Sequence, residues 1–78
     1  MNRVIETKIG NNIRKIRDDK GMTQDTLAAR LQLRGCDLTR SAVAKIEVGQ
    51  RHLYPDEIIL IREILDTTFD KILEIPPV

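Results

Sequence analysis

A chain of 78 residues makes one small domain, close to the size at which a single apolar core is only just sufficient. With 41% apolar and 32% charged residues it reads as folded rather than disordered, and its one cysteine, Cys36, excludes an intrachain disulfide and a cysteine-based zinc site. The net charge of +1 hides a split: residues 1–51 carry eleven Lys and Arg against six Asp and Glu (+5), residues 52–78 two against six (−4), an asymmetry that favours docking on a polyanion.

The first helical pattern runs from Thr7 to Lys20. Ile9, Ile13 and Ile16 fall at i, i+4 and i+7 on one stripe. Thr7 or Glu6 marks its start, and Gly21 is placed to end it. Arg3-Val4-Ile5, just before it, is the only stretch that reads as a possible strand. Gly10 is a mild defect inside the helix, about 1 kcal/mol relative to Ala, and marks a place for close packing.

Thr23 reads as the N-cap of a second helix, with Asp25 suiting its first turn and Leu27, Ala28 and Leu31 forming its apolar stripe. Gly35 breaks the chain after it. Thr39 caps a third helix that Gly49 ends, and Leu38 before the cap is set to pack on Val43 as a hydrophobic staple. One side of this short helix is apolar (Val43, Ile46), and the other carries Arg40, Ser41, Ala44 and Lys45. A helix this short needs neighbours to hold it.

Pro55 opens a fourth helix, followed by Asp56 and Glu57 in its first turn. Its apolar arc, from Ile58 to Leu65, is wider than one buried stripe needs. It is either buried on several sides or shared with another subunit. Asp66-Thr67-Thr68 turns into a last helix from Phe69 to Glu74, with Phe69, Ile72 and Leu73 inward, and Ile75-Pro76-Pro77-Val78 is a non-helical tail. The fold expected is all-α: one domain over residues 1–78 with its core at about 7–74.

Two helices joined at an angle, the second capped and polar-faced, describe a helix-turn-helix. The pieces Ile9-Gly10-Asn11-Asn12-Ile13-Arg14-Lys15-Ile16-Arg17, then Met22-Thr23-Gln24 with Leu27-Ala28, then Ile46-Glu47-Val48-Gly49-Gln50-Arg51 stand in an order and spacing that resemble the Xre family of bacterial and phage regulators, the lambda-repressor/Cro-like DNA-binding domains. The resemblance covers roughly Ile9 to Leu73 and implies a compact five-helix bundle.

It implies site roles as well. Arg40, Ser41, Ala44 and Lys45 match positions facing the major groove: Arg40 and Lys45 can donate to guanine O6 and N7, Ser41 can serve a base or a phosphate, and the Ala44 methyl can meet a thymine methyl. Gln24 matches a glutamine that binds a backbone phosphate, with Thr23, Gln50 and Arg51 beside the backbone and Arg34, Arg14 and Lys15 as weaker phosphate candidates. Arg17 and Glu47 match a salt bridge that ties the first helix to the third. One departure stands out: seven residues, Gln32 to Leu38, separate Leu31 from the Thr39 cap, about five more than in short-turn phage repressors.

The resulting expectation is a sequence-specific transcriptional regulator, a repressor that binds double-stranded DNA as a homodimer through its fourth and fifth helices on a palindromic operator. The alternative is a protein-interaction module, such as an antitoxin or the regulatory partner of another protein. With one His, one Cys and no Gly-rich phosphate loop, neither catalysis nor a metal, cofactor or small-molecule ligand is expected. His52 reads as a surface histidine and Cys36 as a spectator thiol. No apolar run approaches the roughly 20 residues that span a bilayer, and the N-terminus lacks the apolar segment of a signal peptide, so a cytoplasmic protein is expected.

Overall fold

The computed structural model describes residues 2–75, and its regular elements are five helices. They are α1 (Arg3–Asp19), α2 (Gln24–Leu33), α3 (Arg40–Glu47), α4 (Pro55–Leu65) and α5 (Phe69–Ile72). The part of the tail expected at Pro76-Pro77-Val78 lies outside the described residues; Ile75 is non-helical.

The helices begin where side chains satisfy free backbone N–H groups. Thr23, Thr39 and Thr68 accept from the N–H groups of Thr26, Ala42 and Lys71. At α4, Pro55 takes the first position and the Tyr54 N–H donates to Glu57 Oε1 at 3.0 Å. The first helix starts earlier than the expected Thr7 or Glu6, because Asn2 caps it by accepting from Ile5 N at 3.1 Å. The possible strand Arg3-Val4-Ile5 is therefore the first turn of α1.

The core gathers Ile13 from α1, Leu27, Ala28 and Leu31 from α2, Val43 and Ile46 from α3, Ile61 and Leu65 from α4, and Ile72 from α5. Leu38 and Leu53 join it from the connections. Fully burying one large aliphatic side chain contributes about 1.5–3 kcal/mol. The wide arc of α4 divides: Ile61 and Leu65 are buried, Ile58, Leu60 and Ile64 are half-buried, and Ile59 is exposed.

The last helix is shorter than expected and ends at Ile72. The Asn12 amide donates to the carbonyls of Ile72 (2.9 Å) and Glu74 (2.7 Å), tying the chain to α1 just where the helix would continue. Phe69 and Leu73 are exposed rather than inward. Phe69 instead lies under the Arg62 guanidinium, 5.0 Å from ring centroid to Cζ, a cation–π placement that keeps the ring at the surface.

Candidate nucleic-acid interface

Helices α2 and α3 form the motif, and the chain between them is more regular than its length suggests. α2 continues through Leu33, and Cys36 N–H then donates to Leu31 O (2.9 Å) while Gly35 N–H donates to Gln32 O (3.0 Å). This pair of bonds closes the helix by turning its last free carbonyls back on the chain. The Gln32 amide donates to Leu38 O at 3.0 Å, pinning the far side of the turn. Leu38 and Val43, at the staple positions, are both buried.

α3 is locked from beneath. Arg17 Nε donates to Glu47 Oε2 at 2.7 Å and Arg17 Nη2 to Glu47 Oε1 at 3.0 Å, a two-pronged ion pair between α1 and α3. Arg17 Nη1 also donates to Met22 O at 2.8 Å, at the entry to α2. Glu47 is 1% exposed. Its hydrogen bond and its charge together raise the Arg17 pKa further above its ordinary value, against the opposing effect of burial. The same crossing requires Gly10: a Cβ there would overlap the Ile46 carbonyl oxygen and stand 3.0 Å from Glu47 Cα.

The opposite side of α3 is open. Arg40, Ser41 and Lys45 are exposed and Ala44 is half-buried. Two residues that sequence reasoning did not place at the site share this surface. Val48, 51% exposed, continues the row at i+4 from Ala44 and i+7 from Ser41, a spacing visible in the sequence. Asp25, on the first turn of α2, lies 3.7 Å from Arg40 Nε across the motif.

The residues expected at the phosphates divide. Thr23 Oγ1 accepts from Thr26 N–H at 3.1 Å and donates to Thr26 Oγ1 at 2.9 Å. Gln24 is half-buried, and its amide donates to Glu47 Oε1 at 2.9 Å, so it completes the lock beneath α3. Gln50 is exposed just past Gly49, whose left-handed φ of +77° reverses the chain against Thr7 of α1.

Two of the three remaining arginines pair within the domain. Arg34 pairs with Glu63 on α4. Arg51 grips Glu57 through bonds of 2.9 and 3.1 Å and donates to His52 O at 2.8 Å. Burial pushes the Glu57 carboxyl up, but the Arg51 hydrogen bonds, the Tyr54 N–H and the nearby positive charge outweigh it and hold it below its ordinary value. No phosphate position follows for Arg34 or Arg51 from these contacts. Arg14 and Lys15 are exposed on α1, with Arg14 Nε 3.9 Å from Asp18.

Burial also raises the Cys36 thiol pKa, with the charges of Glu57 and Asp56 adding to it, which keeps the thiol in its unreactive form. No group of three or more His, Cys, Asp or Glu able to hold a metal occurs among the described residues, and no helix there is long and apolar enough to cross a membrane.

Comparison with curated proteins and with solved structures returned no match. A family model described as helix-turn-helix matches residues 13–72, from the core isoleucine of α1 to the end of α5. With α2 and α3 in place as the motif and the match covering more than half of the chain, the protein belongs to the helix-turn-helix family of DNA-binding regulators.

Proposed function

We propose that this protein is a sequence-specific transcriptional repressor that lays α3 in the major groove of double-stranded DNA. The observation that carries the reading is the two-sidedness of α3. Its inward edge is fixed by Arg17, Gln24 and Glu47, while Arg40, Ser41, Ala44 and Lys45 project from a helix that cannot roll. Rigid presentation of this kind is what base readout demands. Arg40 and Lys45 donate to guanine, and Ser41 and Ala44 serve the neighbouring bases. Thr23, the second amide N–H of Gln24 and Gln50 serve the flanking phosphates.

A dimer on a palindromic operator, with half-sites about one helical turn apart, completes the reading. The exposed apolar side chains Ile59 of α4 and Phe69 and Leu73 of α5 supply its surface. The whole chain then acts as one domain in the cytoplasm of a bacterium or of a phage host. With about six phosphates neutralised by lysines and arginines of the two protomers, the logarithm of affinity falls against log salt with a slope near −5.

The test is selection of bound sequences from random duplexes, repeated with Arg40→Ala and Lys45→Ala. The parent should enrich one palindromic site, and each variant should lose preference at a different base pair. If both variants enrich the parent's site unchanged, α3 is not the reading helix.

A further inference from the structure

Arg3, Val4, Thr7 and Lys8 on the first two turns of α1 face Val48 and Gln50 at the end of α3 across an open groove of about 500 Å³. The groove adjoins the proposed reading face, because Val48 belongs to both and Gln50 stands beside it. Its lining carries two cations and no carboxylate. Neither Arg3 nor Lys8 forms an ion pair among the described residues. The one carboxylate on these two turns, Glu6, is half-buried and held by His52 Nδ1 at 2.7 Å. Arg3, Thr7 and Lys8 also lie before residues 13–72, the span matched by the family.

We propose that this groove seats the sugar-phosphate backbone of the DNA strand flanking the bases read by α3. Arg3 and Lys8 stand five residues apart, roughly 7.5 Å along the helix axis and about 140° around it, so their long side chains reach the groove from its two edges on α1. They neutralise two phosphates of one strand. The Thr7 hydroxyl and the Gln50 amide donate to the oxygens between, and Val4 and Val48 pack on deoxyribose carbons. Sugar and phosphate contacts of this kind set register without reading sequence. The early start of α1, capped by Asn2, is what brings Arg3 to the groove. The inference rests on the DNA-binding reading of α3 and adds a second strand contact to it.

The test is the salt dependence of binding to a fluorescein-labelled mixed-sequence duplex of about 30 base pairs, followed by anisotropy. The parent is compared with Arg3→Gln/Lys8→Gln and with a control pair on other elements, Arg30→Gln/Lys71→Gln. Loss of two phosphate contacts from each bound protomer lowers the magnitude of the slope by about 1.8 per protomer, about 3.6 for the dimer, so the parent's advantage over the groove variant shrinks at least about tenfold between 50 and 200 mM salt. The control pair should keep the parent's slope. Arg3→Glu/Lys8→Glu should lower the slope at least as far, and the helical circular dichroism of each variant should match the parent's. A groove variant with the parent's slope, or an equal loss in the control pair, overturns the groove while leaving the reading of α3 standing. A parent with no salt dependence overturns both.

Discussion

Arg17 and Glu47, thirty residues apart in sequence, meet through two parallel hydrogen bonds of 2.7 and 3.0 Å in an almost dry site. Gln24 donates to one of the same carboxylate oxygens. The three side chains come from α1, α2 and α3, so a single carboxylate fixes how the motif sits on the rest of the domain. Removing one partner of a buried pair leaves the other charge stranded, at roughly 3–5 kcal/mol. For a domain this small each kcal/mol lowers the melting temperature by roughly 4–8 °C. Glu47→Ala should therefore melt at least about 12 °C below the parent by circular dichroism. Gln24→Ala, which leaves the ion pair in place, should cost only about 1 kcal/mol. Equal losses in the two variants would show that the pair is not what holds α3.

Gly10 tests the same crossing from the backbone side. On helix propensity alone Gly10→Ala is stabilising by about 1 kcal/mol. The new Cβ, however, meets the backbone of Ile46 and Glu47, which has no rotamer to give. Overpacking of this sort costs typically 1–3 kcal/mol, so the clash outweighs the propensity. The denaturation midpoint of Gly10→Ala should fall, and DNA affinity should fall with it as α3 tilts. A raised midpoint would mean that α1 and α3 separate freely.

Most of this architecture was legible in local pattern. Thr23 and Thr39 announced two helix starts, Gly21 and Gly49 two helix ends, and the isoleucine stripe of α1 the buried face, because each is a property of residues within one or two turns. Gly10 could be marked for close packing, but not assigned a partner. One miss is local: Asn2 caps α1 through Ile5 N–H and makes Arg3-Val4-Ile5 its first turn. The others are long-range. α5 ends at Ile72 because of Asn12, sixty residues earlier in the chain. A local reading also does not show which carboxylate a long side chain will find: Arg34 meets Glu63 and Arg51 meets Glu57. The bond from Gln24 to Glu47 is likewise set by tertiary placement.

The pair Arg51–Glu57 gives the domain an acid-sensitive joint between the end of α3 and α4. Glu57 is buried, its pKa lies below its ordinary value of 4.5, and its oxygens accept from Arg51 and from Tyr54 N–H. A carboxyl whose value is lower folded than unfolded binds fewer protons when folded. Its stabilisation is therefore complete above the unfolded value and is lost as pH falls through the folded one. Glu57→Gln should lower the melting temperature at pH 7 and flatten its decline below about pH 4.5. A variant whose melting temperature falls with acid as steeply as the parent's would show that other carboxyls govern the acid limb.

Asp25 faces Arg40 across the motif at 3.7 Å, with both side chains largely exposed. An exposed pair at that distance contributes little to folding, about 0–1 kcal/mol. Asp25→Asn should thus melt within a few degrees of the parent. Its effect on DNA is the informative one, because the carboxylate does two opposed things there. It repels phosphates, and it limits the directions in which the Arg40 guanidinium can point. Removing it should strengthen binding to non-specific duplex at low salt, where charge dominates. It should also relax the preference at the base pair that Arg40 reads, where a held arginine discriminates better than a free one. Selection from random duplexes with Asp25→Asn checks both: a site with the same base at that position and unchanged non-specific affinity would leave Asp25 as an ordinary first-turn residue of α2.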